Sequence, residues 1–312
     1  MPTRVTSARA TRPTPFTALP PHIASCASIA PRVSCRRLST DGTIKVSCST
    51  RRGMRIECVL VSRVGARART LCASTQSGCA VRCRFCATGR MPCTKSLQGS
   101  EIAGQAIRSS RLLRLADRSG VTAGGIVLMG MGEPMLNYGS TVRALAVVAG
   151  CGLHGVRSAR DITASTSGVA PALYRLCHDR PISLALSLHL HDGRCRRLLV
   201  PRGASTVVRS MMDSGCYYQR VCGMGRVTVE YCMARDVSDR QSQAEGLAIA
   251  TSHMACMVNP ILLNNMGGGV YSPPRRRSPA VFVQAAVQGR PAVTPRLTCG
   301  ADVRAACGQL AA

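Results

Sequence analysis

The stretch SGCAVRCRFCATG, Ser77 to Gly89, sets three cysteines at the spacing Cys79-x3-Cys83-x2-Cys86. Soft thiolates crowded on one short loop select either zinc or an iron–sulfur cluster. Zinc asks for four ligands, usually as two Cys-x2-Cys pairs, and here the fourth would have to come from Cys72 or Cys93. A four-iron cluster held by only three cysteines keeps one iron open for a substrate to chelate. The remaining cysteines are mostly singletons, such as Cys26, Cys151, Cys177 and Cys216. At 312 residues the chain is too long for a disulfide scaffold, so its 18 cysteines point to a reducing compartment.

Outward from this loop, short Val, Ile and Leu runs alternate with helical patterns. Strands are expected at Gly125–Met129, Asp161–Ser165, Ile182–His189, Arg226–Met233, Met254–Leu263 and Pro291–Leu297. Helices are expected at Glu101–Ala116 with Ser100 as its cap, Thr141–Ala149, Ser205–Ser214 stopping at Gly215, Gln241–Ser252 and Asp302–Cys307. That alternation predicts an α/β fold with a parallel sheet, rolled into a full or partial barrel. In such barrels the chemistry lies at the C-terminal ends of the strands. Pro273–Arg277 reads as a charged, solvated linker.

Hydrophobic residues make up 46% and charged residues 18%, which excludes wholesale disorder. No apolar run reaches the roughly 18 residues of a membrane span, so no integral membrane role is expected. Aromatic residues are 3% and Trp is absent, which argues against a binding surface built on stacking. The 41 basic and 14 acidic residues give a net charge of +27, which favours a polyanionic partner, RNA or DNA first. Only Lys45 and Lys95 are lysines, and a GC-rich genome produces the same arginine bias without any such partner. The segment before Asp41 holds six arginines and no acid, with Ser, Thr, Ala and Pro filling the rest. It reads as an organelle transit peptide, or else as a disordered basic arm.

The motifs flanking the cysteine loop fix a resemblance. They are TLCASTQ (Thr70–Gln76), CATG (Cys86–Gly89), MGMGEPMLNY (Met129–Tyr138), STSGV (Ser165–Val169), LSLH (Leu186–His189), LVPR (Leu199–Arg202), RVTVEYCM (Arg226–Met233) and ADVRAACGQL (Ala301–Leu310). From about Leu38 to Ala312 the chain resembles the RlmN/Cfr group of radical S-adenosylmethionine (SAM) RNA adenine methyltransferases, nearer to RlmN. The resemblance implies a partial (β/α)6 barrel. It also implies a [4Fe-4S] cluster on Cys79, Cys83 and Cys86, with SAM consumed twice per turnover.

The same resemblance assigns roles. A first SAM methylates Cys307. A second SAM, cleaved at the cluster, yields a deoxyadenosyl radical that takes hydrogen from this methyl group. The methylene radical adds to C2 of an adenine, a carbon that is neither acidic nor nucleophilic. Glu57 removes the C2 proton, and Cys72 attacks the Cys307 sulfur, releasing product and leaving a disulfide. Gly132, Glu133, Ser165, Ser187, Leu188, His189 and Asn264 match SAM contacts. The implied partners are rRNA or tRNA and an electron donor such as ferredoxin or flavodoxin, with the enzyme a monomer and no membrane involved.

The sequence departs from the family in four places. The gap from Glu57 to Cys72 is about two residues longer, no proline follows Asn264, Cys299 replaces an arginine, and the small helical N-terminal domain is missing. The expected organisation is a basic arm over 1–37, disordered or cleaved, a short extension over 38–68, and the methyltransferase core over 69–312. A C8-methylating, Cfr-like activity and a decayed paralogue that only binds RNA are the alternatives.

Overall fold

The computed structural model describes residues 5–7, 28, 30–62, 68–92, 95–116, 122–202, 208–266, 270–288 and 291–311. Eleven strands form one sheet in chain order: β1 (Val5–Ser7), β2 (Arg32–Leu38), β3 (Ile44–Ser49), β4 (Arg55–Val61), β5 (Ala68–Cys72), β6 (Thr122–Leu128), β7 (Ile162–Thr166), β8 (Ser183–Ser187), β9 (Val227–Met233), β10 (Cys256–Leu262) and β11 (Ala292–Val293). Strands β5 to β11 run parallel, and β1 to β5 pair antiparallel. Helices fill the crossovers: α1 (Ala87–Arg90), α2 (Gly99–Ala116), α3 (Tyr138–Gly150), α4 (Ala170–Asp179), α5 (Gly193–Leu199), α6 (Val208–Cys222), α7 (Gln241–Thr251) and α8 (Ser278–Gln288). The result is a partial barrel, with no pairing between the two ends of the sheet among the described residues. Leu71, Ile162, Leu186, Val229 and Val258 are fully buried between sheet and helices, which is why the parallel strands read as apolar runs.

The strands from β6 to β10 fall within about three residues of expectation. Other elements differ. Gly215 does not end α6 but lies inside it, because a Cβ there would sit 2.8 Å from Leu186 Cδ1. The glycine lets α6 press directly onto β8. Ser100 does not cap α2. Instead Glu101 reaches back to accept from the Gln98 N–H at 2.8 Å. Pro291–Leu297 yields only the two residues of β11 and a lone bridge from Arg296 to Ile261. No helix forms over Asp302–Cys307. Arg304 takes a left-handed φ of 55° and the Ala305 N–H closes a turn on Gly300 O, so helical phase is lost. The arginines of Pro273–Arg277 lead into α8, and Arg275 pairs with Asp236 at 3.8 Å.

The antiparallel strands β2 to β4 had no counterpart among the expected strands. β2 starts at Arg32, inside the segment assigned to the basic arm, and pairs along β3. Most of the rest of that arm lies outside the described residues. No helix among the described residues is long and apolar enough to cross a membrane.

Candidate active site

The parallel strands end on one rim. Cys72 ends β5, Glu133 follows β6, Ser165 and Thr166 end β7, Ser187 ends β8, and Asn264 follows β10. The cysteine loop joins β5 to α1 at this rim. Its turns close through the Arg82 N–H on Cys79 O, the Cys86 N–H on Cys83 O at 3.1 Å, and the Gly89 N–H on Cys86 O at 3.0 Å.

Burial disfavours the thiolate at each of the three sulfurs, and nearby N–H groups or a positive charge oppose it. Burial pushes the Cys79 thiol up to about 12, while the N–H groups of Val81 and Arg82 favour its charged form. Burial and the neighbouring Cys86 and Cys79 push Cys83 well up, opposed by the Arg196 charge. Cys86 is raised by burial and eased by the N–H groups of Gly89 and Thr88. A bare thiol therefore keeps its proton here until a metal displaces it. Among the described residues no three His, Cys, Asp or Glu side chains gather around a point suited to one metal ion. Cys93, the other ligand a zinc site would draw on, lies outside the described residues.

Beyond the loop, polar side chains line successive strand ends. Ser165 Oγ and Ser187 Oγ lie 3.0 Å apart. Leu188 is fully buried, and its N–H and that of His189 both bond to Glu230 O. His189 sits at φ 61° with its ring edge-on to Phe85, centroids 4.8 Å apart. Its Nδ1 accepts the Cys232 N–H at 3.2 Å, which puts the proton of the neutral ring on Nε2. Burial, aided by Arg196, holds its pKa down to about 3. Glu133 is buried, and burial raises its pKa against bonds from the Ser167 N–H at 2.8 Å and the Met135 N–H at 3.0 Å. Gly132 has φ 101°, and a Cβ there would meet Gln76 at 2.6 Å. The close approach that requires this glycine is thus to Gln76 of the same chain.

The C-terminal segment crosses the rim. Gly308 O accepts the Ala87 N–H at 2.7 Å, and Leu310 O accepts Thr88 Oγ1 at 2.6 Å. Asn264 Nδ2 donates to Cys307 O, and Gln309 Nε2 donates to Asn265 O. Cys307 is left exposed on this docked segment as a free thiol. Cys72 is a buried free thiol, pushed up to about 12 by burial and by the nearby Cys307, and eased by Arg296. Pairing of Lys45 with Val59 and of Val59 with Cys72 puts these residues in one row, with Glu57 two residues along the same face. Glu57 is buried, ion-paired to Lys45 Nζ at 2.8 Å, and accepts the Ala311 N–H at 2.9 Å.

No family model matches the chain. The structure is similar to a radical SAM methyltransferase from Sphaerobacter thermophilus, with 34% identity and a TM-score of 0.85, over 94% of this chain and 86% of that one. The chain belongs to the radical SAM methyltransferases. It shares only the fold with HydG, a maturase of the [FeFe]-hydrogenase, at 11% identity and a TM-score of 0.51 over 72% of this chain and 50% of that one. The cofactors of a radical SAM methyltransferase are a [4Fe-4S] cluster and SAM.

Three further groups near the candidate site have no strong marker in the sequence. Arg196, almost wholly buried, donates to Leu188 O at 2.9 Å and to Ser167 O at 2.8 Å, tying the ends of β7 and β8 together. Its RCRR context reads as a solvated run, so nothing in the pattern marks it. Glu230 and Arg296 face each other inside the barrel at 3.6 Å, and Glu230 Oε2 is buried without a hydrogen bond. The nearby Cys307 and Glu230 raise the Arg296 pKa. Glu230 stands in RVTVEYCM, where an acid between apolar neighbours on a buried strand is the only cue. Lys45 is the third.

Proposed function

We propose that this radical SAM methyltransferase methylates C2 of an adenosine in RNA, large-subunit rRNA or tRNA, with the methyl group passing through Cys307. The observation that carries this reading is the placement of two thiols outside the cluster loop. Cys307 is exposed on a segment docked against that loop, and Cys72 lies buried within electrostatic reach of it. A methyl-transfer route that ends in a disulfide needs such a pair.

When bound, the cluster and SAM supply the radical that activates the methyl group. Cys79, Cys83 and Cys86 hold the cluster. Glu133 offers a carboxylate to the SAM ammonium, Ser165, Ser187, Leu188 and His189 line the adjoining strand ends, and Asn264 fixes the Cys307 backbone. Glu57 accepts the C2 proton. Cys72 then gives up its thiol proton and attacks Cys307 Sγ; the S–S bond forms, the S–CH2 bond breaks with its electron pair passing to the product carbon, and that carbon takes up a proton to become the methyl group. A reductant such as ferredoxin or flavodoxin supplies electrons. The net charge of +27 suits an RNA partner, and the acid-free arginine-rich start of the chain suits delivery to an organelle.

The test is a pair of variants assayed anaerobically with RNA. Cys72→Ala is expected to accumulate a covalent RNA–protein adduct, and Cys307→Ala to form none. Normal turnover by Cys72→Ala without adduct would end the assignment. Mass spectrometry of the released nucleoside separates C2 from C8 methylation. Filter binding across a salt series should show affinity falling steeply, by about 0.7 to 0.9 log units per log unit of salt for each phosphate contact.

A further inference from the structure

Lys45 is an exception in its own sequence. Of 41 basic residues it is one of two lysines, the rest being arginine. It is also buried, where a charged side chain persists only when paired. Its ammonium meets Glu57 Oε2 at 2.8 Å and donates to the main-chain carbonyl of Arg304 at 3.0 Å. Strand geometry explains the first contact. Ser47 stands opposite Glu57 across β3 and β4, and Lys45 is two residues from Ser47, so Lys45 and Glu57 are diagonal neighbours on one face. The second contact reaches the segment that carries Cys307, three residues from Arg304.

We propose that Lys45 is a positioning residue that orients the Glu57 carboxylate and couples it to the docking of the Cys307 segment. This rests on the reading of Glu57 as the proton acceptor. Lys45 and the Ala311 N–H both bind Oε2, whereas Oε1 has only the Ser47 hydroxyl at 3.3 Å. Oε1 is therefore the oxygen with capacity for a substrate proton. In that step the C2–H bond breaks, its electron pair stays on the ring, and the proton moves to Oε1. A flat guanidinium cannot replace the ammonium between one carboxylate oxygen and one carbonyl without shifting one of them. Because the same ammonium holds Arg304 O, the carboxylate takes its working orientation when the Cys307 segment is seated.

The experiment uses full-length protein reconstituted with iron and sulfide, and target RNA carrying hydrogen or deuterium at C2 of the adenosine. Lys45→Arg, Lys45→Met, Glu57→Gln and the double variant Lys45→Met/Glu57→Gln are compared. Iron content and Cys307 methylation precede the proton step and report folding. Glu57→Gln is expected to lengthen the lifetime of the covalent adduct by about a hundredfold, the low end for loss of a general base. Lys45→Arg and Lys45→Met should bind iron and methylate Cys307, yet lengthen it by about tenfold, with a larger deuterium effect than the wild type. The double variant should match Glu57→Gln, since a positioning residue has nothing left to position. Normal adduct lifetime in both Lys45 variants beside a slow Glu57→Gln would overturn the proposal alone. A double variant slower than Glu57→Gln would do the same, and it serves where a single Lys45 variant fails to take up iron. Normal release by Glu57→Gln would overturn the base assignment, and the proposal with it.

Discussion

The Asn264 side-chain amide donates to the main-chain carbonyl of Cys307 at 3.0 Å, so the residue just past β10 fixes the backbone beside the exposed sulfur. Its backbone neighbour Asn265 accepts from Gln309 at 2.8 Å, making a two-point clasp on the C-terminal segment. Asn264→Ala removes one hydrogen bond, worth about 1 kcal/mol. Cys307 should then react several-fold faster with a thiol reagent, followed by peptide mapping, and its methylation should slow. An unchanged labelling rate would show that Asn264 does not hold the segment.

Loss of one cluster cysteine should be all-or-none. Cys83 lies near Cys86, Cys79 and Arg196. Cys83→Ala is expected to lose most of its iron after anaerobic reconstitution, and all SAM cleavage, because three thiolates serve one cubane. Tight stoichiometric zinc in the wild type, with no iron uptake, would contradict the cluster assignment.

Arg196 is predicted to matter for stability as well as for the site. Its guanidinium serves the carbonyls of Leu188, Ser167 and, at 3.3 Å, Ser187. Arg196→Met takes a donor from each carbonyl; Leu188 O keeps the Leu190 N–H at 2.8 Å, and each acceptor left unsatisfied costs about 1 to 3 kcal/mol. The variant should lose about 3 kcal/mol or more in denaturant unfolding and bind SAM weakly. A loss under about 1 kcal/mol would mean that water takes over those carbonyls.

The pH dependence of stability should carry the mark of His154. Its Nε2 bonds to Arg69 O at 3.2 Å and its Nδ1 faces Ser110 Oγ at 3.3 Å, which suits the neutral ring. Burial holds its pKa at about 4, against an ordinary value of 6.5. Between those values the unfolded chain binds a proton that the folded chain refuses, so stability falls as pH drops from 6.5 towards 4. The slope from this group is about 1.4 kcal/mol per pH unit. His154→Asn keeps a residue tolerant of the left-handed backbone found there, φ 55°. Equilibrium unfolding of the two proteins across this range should differ by that slope, and parallel curves would refute the assignment.

Local sequence carried the parallel half of the fold because few residues of β6 to β10 are exposed, so most of these strands show as short apolar stretches. It carried the cysteine loop because ligand spacing is a local property. The antiparallel strands escaped notice because RVSCRRL and IKVSCS mix charge with small residues and are stabilised by their neighbours rather than by their own pattern. The tail was read as a helix from composition, whereas Gly300, Arg304 and Gly308 all adopt positive φ to follow the rim. Arg196, Glu230 and Lys45 act across separations of eight or more residues, through contacts that no spacing rule encodes.

With Lys45 buried, Lys95 is the exposed lysine of the chain. Its carbonyl accepts the Ser77 N–H at 2.9 Å and its own N–H bonds to Ser77 Oγ at 3.3 Å, two residues before Cys79. Amine-directed chemistry on side chains therefore lands at one place. A fluorophore or spin label coupled at Lys95 would sit on the segment hydrogen-bonded to the start of the cysteine loop, with no engineered handle and no competing side-chain amine.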